Sequence, residues 1–298
     1  MPLRPLWLAL ALTAALAALL AVAVRFSPTD FSWGPPETPK VQCEALDSAS
    51  LPPLVRDALA RRYHDRVATA VVREPQNTWS NLAFIFVGLW IAARDRRPHA
   101  RLLSAALIAL GLGSGLYHAS LLPAWRNVDV ATMAWTSFAL CHFGWLSVRG
   151  GTTPPPRRTL LIGLLGGTVA IVATTLRNHV VIFGQKPFAT TFLTAFGIGI
   201  VCVLLIRGLV VAPRVATAHR QATDRVPWLR FAALAATVAL AVACQANDRP
   251  GGCLCRPGAP VQGHAGWHVL MAAAIAQTYL LFCVAISASQ PASAPRRP

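Results

Sequence analysis

Residues 102–148 read LLSAALIALGLGSGLYHASLLPAWRNVDVATMAWTSFALCHFGWLSV, and this stretch decides the fold. Two apolar runs, 102–122 and 128–148, flank a short turn that holds Pro123, and the only formal charges in the stretch are Arg126 and Asp129. Each run has about the 20 residues that an α-helix needs to cross a hydrocarbon layer ~30 Å thick. The turn is too short to do anything but bring the second helix back beside the first. The stretch therefore reads as a helical hairpin inside a membrane.

Outward from the hairpin, five more runs of the same kind fall at 77–93, 159–176, 188–206, 228–246 and 264–286. Across its 298 residues the chain is 55% hydrophobic and 13% charged, whereas a soluble domain carries about 25% charged residues. The expectation is an all-α, polytopic membrane protein with a seven-transmembrane-helix core at 77–286. One further N-terminal hydrophobic helix runs from Pro5 to Val24. That run exceeds the roughly 7–15-residue core of a signal peptide. It reads as an uncleaved anchor ahead of a signal peptide, for which Ala21-Val22-Ala23 would offer a cleavage site. Segment 1–25 is thus an anchor or signal, 26–76 an extracytoplasmic segment, and 287–298 a disordered cytoplasmic tail rich in Pro, Ala and Ser.

The net charge of +16 does not mark a nucleic-acid binder, because the basic residues sit in loops between apolar runs. There they report orientation, since cytoplasmic loops are enriched in Lys and Arg. With the N-terminus inside, the inner segments hold 15 basic and two acidic residues, a net of +13, and the outer segments 12 basic and nine acidic, a net of +3. The short basic loops 94–101, 149–158 and 207–230 all fall on the cytoplasmic side. The hairpin turn and the start of the last span fall outside. The arginine bias points to a bacterial inner membrane.

Ionisable groups within a membrane are costly and mark functional positions. Ser114 and His118, four residues apart, share one helix face in Gly113-Ser114-Gly115-Leu116-Tyr117-His118. Asp129 opens the next span across the turn and can face His118; alone it would pass for a first-turn acid favoured by the helix dipole. His264 and His268 are four apart in Gly263-His264-Ala265-Gly266-Trp267-His268, a spacing that grips a transition metal. The topology puts all three clusters at one depth. Three imidazoles, His118, His264 and His268, can then converge, and an all-nitrogen set suits Zn2+ better than calcium or magnesium. His64, His99 and His219 lie in charged segments and are expected in solvent. His142 is about 20 Å deeper than Asp129 on the same span, at 1.5 Å per residue, too far to share the metal. Cys43, Cys253 and Cys255 all fall on the oxidising side, where a disulfide from Cys43 to Cys253 or Cys255 could persist. Cys141, Cys202, Cys244 and Cys283 fall within spans or at their ends, as packed free thiols.

In this order and spacing the clusters resemble the alkaline ceramidases, members of a superfamily of seven-helix membrane hydrolases that includes adiponectin-type receptors. The matching residues run from Cys43-Glu44 through Glu74-Pro75-Gln76-Asn77-Thr78-Trp79-Ser80-Asn81. They continue through Ser114, His118, Asp129 and Met133 to His264 and His268. The resemblance implies that His118, His264 and His268 hold zinc, and that Ser114 and Asp129 surround the attacking water. It implies that Glu44 and Glu74 occupy acidic positions of a Ca2+ site. Val41, Gln42 and Leu46, however, replace the family's further ligands there, and Val130 and Thr132 replace its usual acid and proline after Asp129. The implied activity is hydrolysis of ceramide-like membrane lipids to a fatty acid and a sphingoid base. Two alternatives stay open: hydrolysis of another acyl lipid, ester or N-acyl amide, and a non-catalytic lipid receptor that keeps zinc for structure.

Overall fold

The computed structural model describes residues 4–27, 70–148, 155–176, 226–248, 252–254 and 261–289. In chain order the helices are α1 (Arg4–Arg25), α2 (Pro75–Ser80), α3 (Leu82–Arg94), α4 (Pro98–Ser120), α5 (Pro123–Val148), α6 (Pro156–Leu176), α7 (Val226–Asn247) and α8 (Gly263–Ser289). No strand occurs among the described residues. Six of the seven expected core spans fall on these residues and are helical, the span at 77–93 being shared by α2 and α3. The remaining one, 188–206, lies outside the described residues. Four helices are long and apolar enough to cross a membrane by length and composition: α1, α4, α7 from Leu229, and α8 as far as Cys283.

Local chemistry explains the boundaries. Pro75 opens α2, and Pro98 opens α4, at the first helical turn, where a missing N–H costs nothing. Asn81 keeps helical angles between α2 and α3, donating its N–H to Thr78 O and accepting from Phe84 N, so the chain runs on from one helix into the next. α3 stops at Asp95, whose backbone is extended. Its carboxylate accepts from Arg97 N at 2.9 Å and from Arg97 Nη2 at 2.6 Å, which sets the turn into α4. α4 ends at Leu121, which takes a left-handed φ of 51° and donates its N–H to Tyr117 O.

α4 is the central helix, packed against α2, α3, α5 and α6; α8 packs on α7 and closes against α2, α3 and α5. α1 lies along α3. Small residues let the backbones approach, as they do wherever helices associate without a hydrophobic drive. A Cβ on Gly111 would stand 2.5 Å from Ile85 Cγ1 and 2.9 Å from Asn81 O. Ser104 Oγ crosses to Gly88 O at 2.7 Å, and Thr136 Oγ1 crosses to Ala106 O at 3.2 Å. Phe143, Tyr279 and Phe282 fill the lower core, and Tyr279 donates to Asp95 Oδ2 at 3.2 Å.

One expectation is corrected here. His99 is not in solvent: it is 2% exposed and lies 4.8 Å, ring to ring, from Phe143. The charges at Arg96, Arg97 and Arg101 belong to the surface around it, whereas position 99 faces inward in the first turn of α4. The free thiols of Cys141, Cys244 and Cys283 are partly buried, as expected of packed cysteines. Cys253 is also a free thiol, and it donates to Asn247 Oδ1 at 3.4 Å. Cys43 and Cys255 lie outside the described residues.

Candidate metal centre

The site is assembled where the C-terminal end of α4 meets the start of α8. The last carbonyls of a helix lack intrahelical partners, and in α4 the chain just before α2 supplies them. Arg73 N donates to Ala119 O at 3.0 Å, Glu74 N donates to His118 O at 3.1 Å, and Arg73 Nη1 reaches Ser120 O at 2.5 Å. This crossing lays Glu74 beside His118. α8 brings His264 and His268 on one face, as their spacing requires.

His118, His264 and His268 are 1%, 8% and 4% exposed. Their ring centroids form a triangle of 5.0, 5.1 and 4.5 Å. One nitrogen from each lies within 4.8 Å of the others, forming a buried group able to hold a metal ion.

The outer hydrogen bonds say which nitrogen is offered. His118 Nδ1 lies 2.5 Å from Glu74 Oε2. An ionised carboxylate can only accept, so Nδ1 carries the proton. His264 Nδ1 lies 2.6 Å from Gln245 Oε1, again an acceptor. His268 Nδ1 lies 2.8 Å from Ser80 Oγ. Ser80 Oγ also donates to Asn77 O at 2.9 Å. Asn81 Nδ2 donates to the same Asn77 carbonyl at 2.7 Å and fixes it. With Nδ1 facing the acceptors of Glu74 and Gln245, His118 and His264 offer Nε2 to the metal; at His268, Nδ1 meets Ser80 Oγ and also lies 3.4 Å from Asn81 Nδ2. A hydrogen-bonded Nδ1 behind a ligating Nε2 is the usual support of metal-bound histidine. Three imidazole nitrogens match the ligand set of a zinc site with one open position.

Ser114 is one turn below His118 on the same face of α4, 3% exposed. Asp129 is partly buried in the second turn of α5, and its backbone N stands 3.7 Å from where a Gly113 Cβ would lie. The helix carrying Asp129 is thus pressed against the residue next to Ser114. Asp129 does not belong to the metal-holding group. Neither does His142. Glu44 lies outside the described residues. A cavity of about 530 Å³ opens between α2 and the start of α8, walled by Pro75, Trp79, Ala265 and Leu270 and touching Ser80 and Gln262.

A sequence profile described as Ceramidase matches residues 64–296. The chain belongs to the ceramidase family. Membership implies a hydrolase acting on amide bonds, with ceramide lipids as its substrate class. In a direct comparison with curated proteins the sequence has no match. Within this ceramidase fold, sequence reasoning found the three histidines and missed what stands behind them. By resemblance the sequence assigns Glu74 to calcium, and it gives Ser80, Asn77 and Asn81 no role. Gln245 had gone unremarked, although an amide at the end of the apolar run Phe231 to Cys244 is the kind of signal that marks a working polar group.

Proposed function

We propose that the chain hydrolyses the amide bond of ceramide-like lipids within the membrane, with zinc held by His118, His264 and His268. The observation that carries this reading is the meeting of three buried imidazoles, one nitrogen from each within 4.8 Å of the others, in a ceramidase-family protein. A zinc ion held there supplies Lewis acidity, lowering the pKa of water towards ~7 and polarising the acyl carbonyl. The chain's own residues do the rest. Asp129 accepts the proton of the attacking water and delivers it to the departing amine, so that the C–N bond breaks and a neutral amine leaves. Ser114 donates a hydrogen bond to the oxygen that gains charge on the acyl carbon. Glu74 holds His118 in the tautomer and orientation the metal needs, and Ser80 supports the His268 ring from behind. The apolar walls of the cavity beside Ser80 suit an alkyl chain that stays in the bilayer. The products are a fatty acid and a sphingoid base.

The loop charges support a site on the extracytoplasmic side and a cytoplasmic C-terminus. Cysteine labelling that found 94–101, 149–158 and 207–230 outside would overturn that orientation.

Zinc content and ceramide hydrolysis measured on the same purified variants test the roles. His118→Ala and His264→Ala should lose bound zinc and all turnover. Ser114→Ala should keep zinc and lose on the order of 10²–10³ in rate. Asp129→Asn should keep zinc and lose roughly 10²–10⁴. Full activity in His264→Ala, or zinc loss in Ser114→Ala equal to that of the histidine variants, would refute the assignment.

A further inference from the structure

We propose that Gln245 is a positioning residue of the metal centre, holding His264 in the tautomer that presents Nε2; this rests on the zinc reading above. α7 and α8 approach each other through two glycines. A Cβ on Gly263 would stand 2.5 Å from Cys244 O, and a Cβ on Gly266 would stand 3.4 Å from Cys244 Sγ. That close approach carries the residue after Cys244 to the histidine, and Gln245 Oε1 lies 2.6 Å from His264 Nδ1. The end of α7 is thereby part of the site, although it supplies no ligand.

The choice of an amide has a consequence. A carboxylate such as Glu74 can only accept, so it fixes His118 without ambiguity. An amide accepts through its oxygen and donates through its nitrogen. With the oxygen towards His264, Nδ1 keeps the proton and Nε2 is bare. With the nitrogen towards it, Nδ1 must accept, Nε2 carries the proton, and no lone pair faces the metal. His264 is therefore the ligand whose readiness depends on which end of a neighbouring side chain it meets. A side chain of the same length without a strong acceptor should weaken the site, and one that can only accept should restore it.

The test uses the full chain purified in detergent. Zinc affinity is read by competition with a chelator, and the visible spectrum of the cobalt-substituted protein reads the ligand set. Gln245→Leu should weaken zinc about 10–100-fold, the range for loss of an outer-shell partner, and change the cobalt bands. Gln245→Met serves the same purpose should Gln245→Leu not fold. Gln245→Glu should bind zinc at least as tightly as the wild type. Asn247→Leu is the control on the same helix, because its amide meets Ala243 and Cys253, and it should leave zinc affinity unchanged. Wild-type affinity in Gln245→Leu or Gln245→Met would overturn the proposal, and so would a Gln245→Glu as weak as those two, because Glu keeps both the shape and the acceptor and a loss there would mean that the acceptor does not carry the effect. Undiminished zinc binding in His264→Ala would instead sink the ligand assignment itself, so the two failures are distinguishable.

Discussion

Replacing Glu74 should show how much of the metal affinity comes from outside the ligand set. Its carboxylate is 1% exposed, accepts from His118 Nδ1 at 2.5 Å, and also takes Asn77 Nδ2 at 3.3 Å. Glu74→Gln keeps the shape and still presents an oxygen to Nδ1–H, but the bond is no longer charge-assisted. Bonds to charged groups contribute about 1.5–3 kcal/mol and neutral ones about 0.5–1.5. The difference, about 1–1.5 kcal/mol, corresponds to a zinc affinity lowered about 5–12-fold, at 1.4 kcal/mol per decade. Glu74→Leu removes the acceptor altogether and strands His118 Nδ1–H and Asn77 Nδ2 in a buried place, so the loss should approach about 100-fold. Both variants keep the Glu74 N to His118 O bond, so the crossing over α4 stays in place. Chelator competition on the purified proteins measures the affinities, with a thermal melt of the metal-free forms to separate folding from binding. Wild-type zinc affinity in Glu74→Leu would refute the reasoning. Equal losses in Glu74→Gln and Glu74→Leu would show that the negative charge alone carries the effect, and that the acceptor does not.

Gly111→Ala should destabilise the fold by about 1–3 kcal/mol, because the new methyl meets Ile85 and the Asn81 carbonyl; urea unfolding that shows no change would argue against this packing. His99→Leu should be at least as stable as the wild type, since both ring nitrogens are buried without a partner and an apolar replacement removes that penalty; a marked fall in melting temperature would contradict it. Burial pushes the Asp95 carboxyl up, but hydrogen bonds and charge from Arg97 more than offset this and hold it below the usual value of 3.8. A lowered carboxylate contributes stability that is present above its unfolded pKa and is lost as pH falls from there through the folded value. Melts from pH 7 down to about 2 should therefore show an acid-side loss that Asp95→Asn shrinks, and an unchanged acid slope would rule out this contribution.

The helices of the hairpin at 102–148 and of the other described runs were legible because an apolar run of sufficient length has few other ways to be satisfied. The histidines were legible for a different reason. His264 and His268 share a helix face by spacing alone, and the loop charges brought His118 to their depth. The partners of the histidines were hidden because each depends on a contact with no local pattern. Glu74 reaches His118 only because residues 73 and 74 bind the end of α4, and Gln245 reaches His264 only because two glycines bring α7 close. His99 was misread because a charged neighbourhood in sequence says nothing about which side of a helical turn a residue occupies.

The crossing of residues 73 and 74 over the end of α4 has one more consequence. Arg73 pairs with Ala119 and Glu74 with His118, so the chain descends the helix end like rungs of a ladder, one residue to one carbonyl. One inserted or deleted residue close upstream of Pro75 would therefore shift the ladder by a rung and hand His118 a proline or an arginine in place of its carboxylate. What this short segment must keep is its count. A frame slip of one would disarm a ligand on another helix, 44 residues away in the sequence.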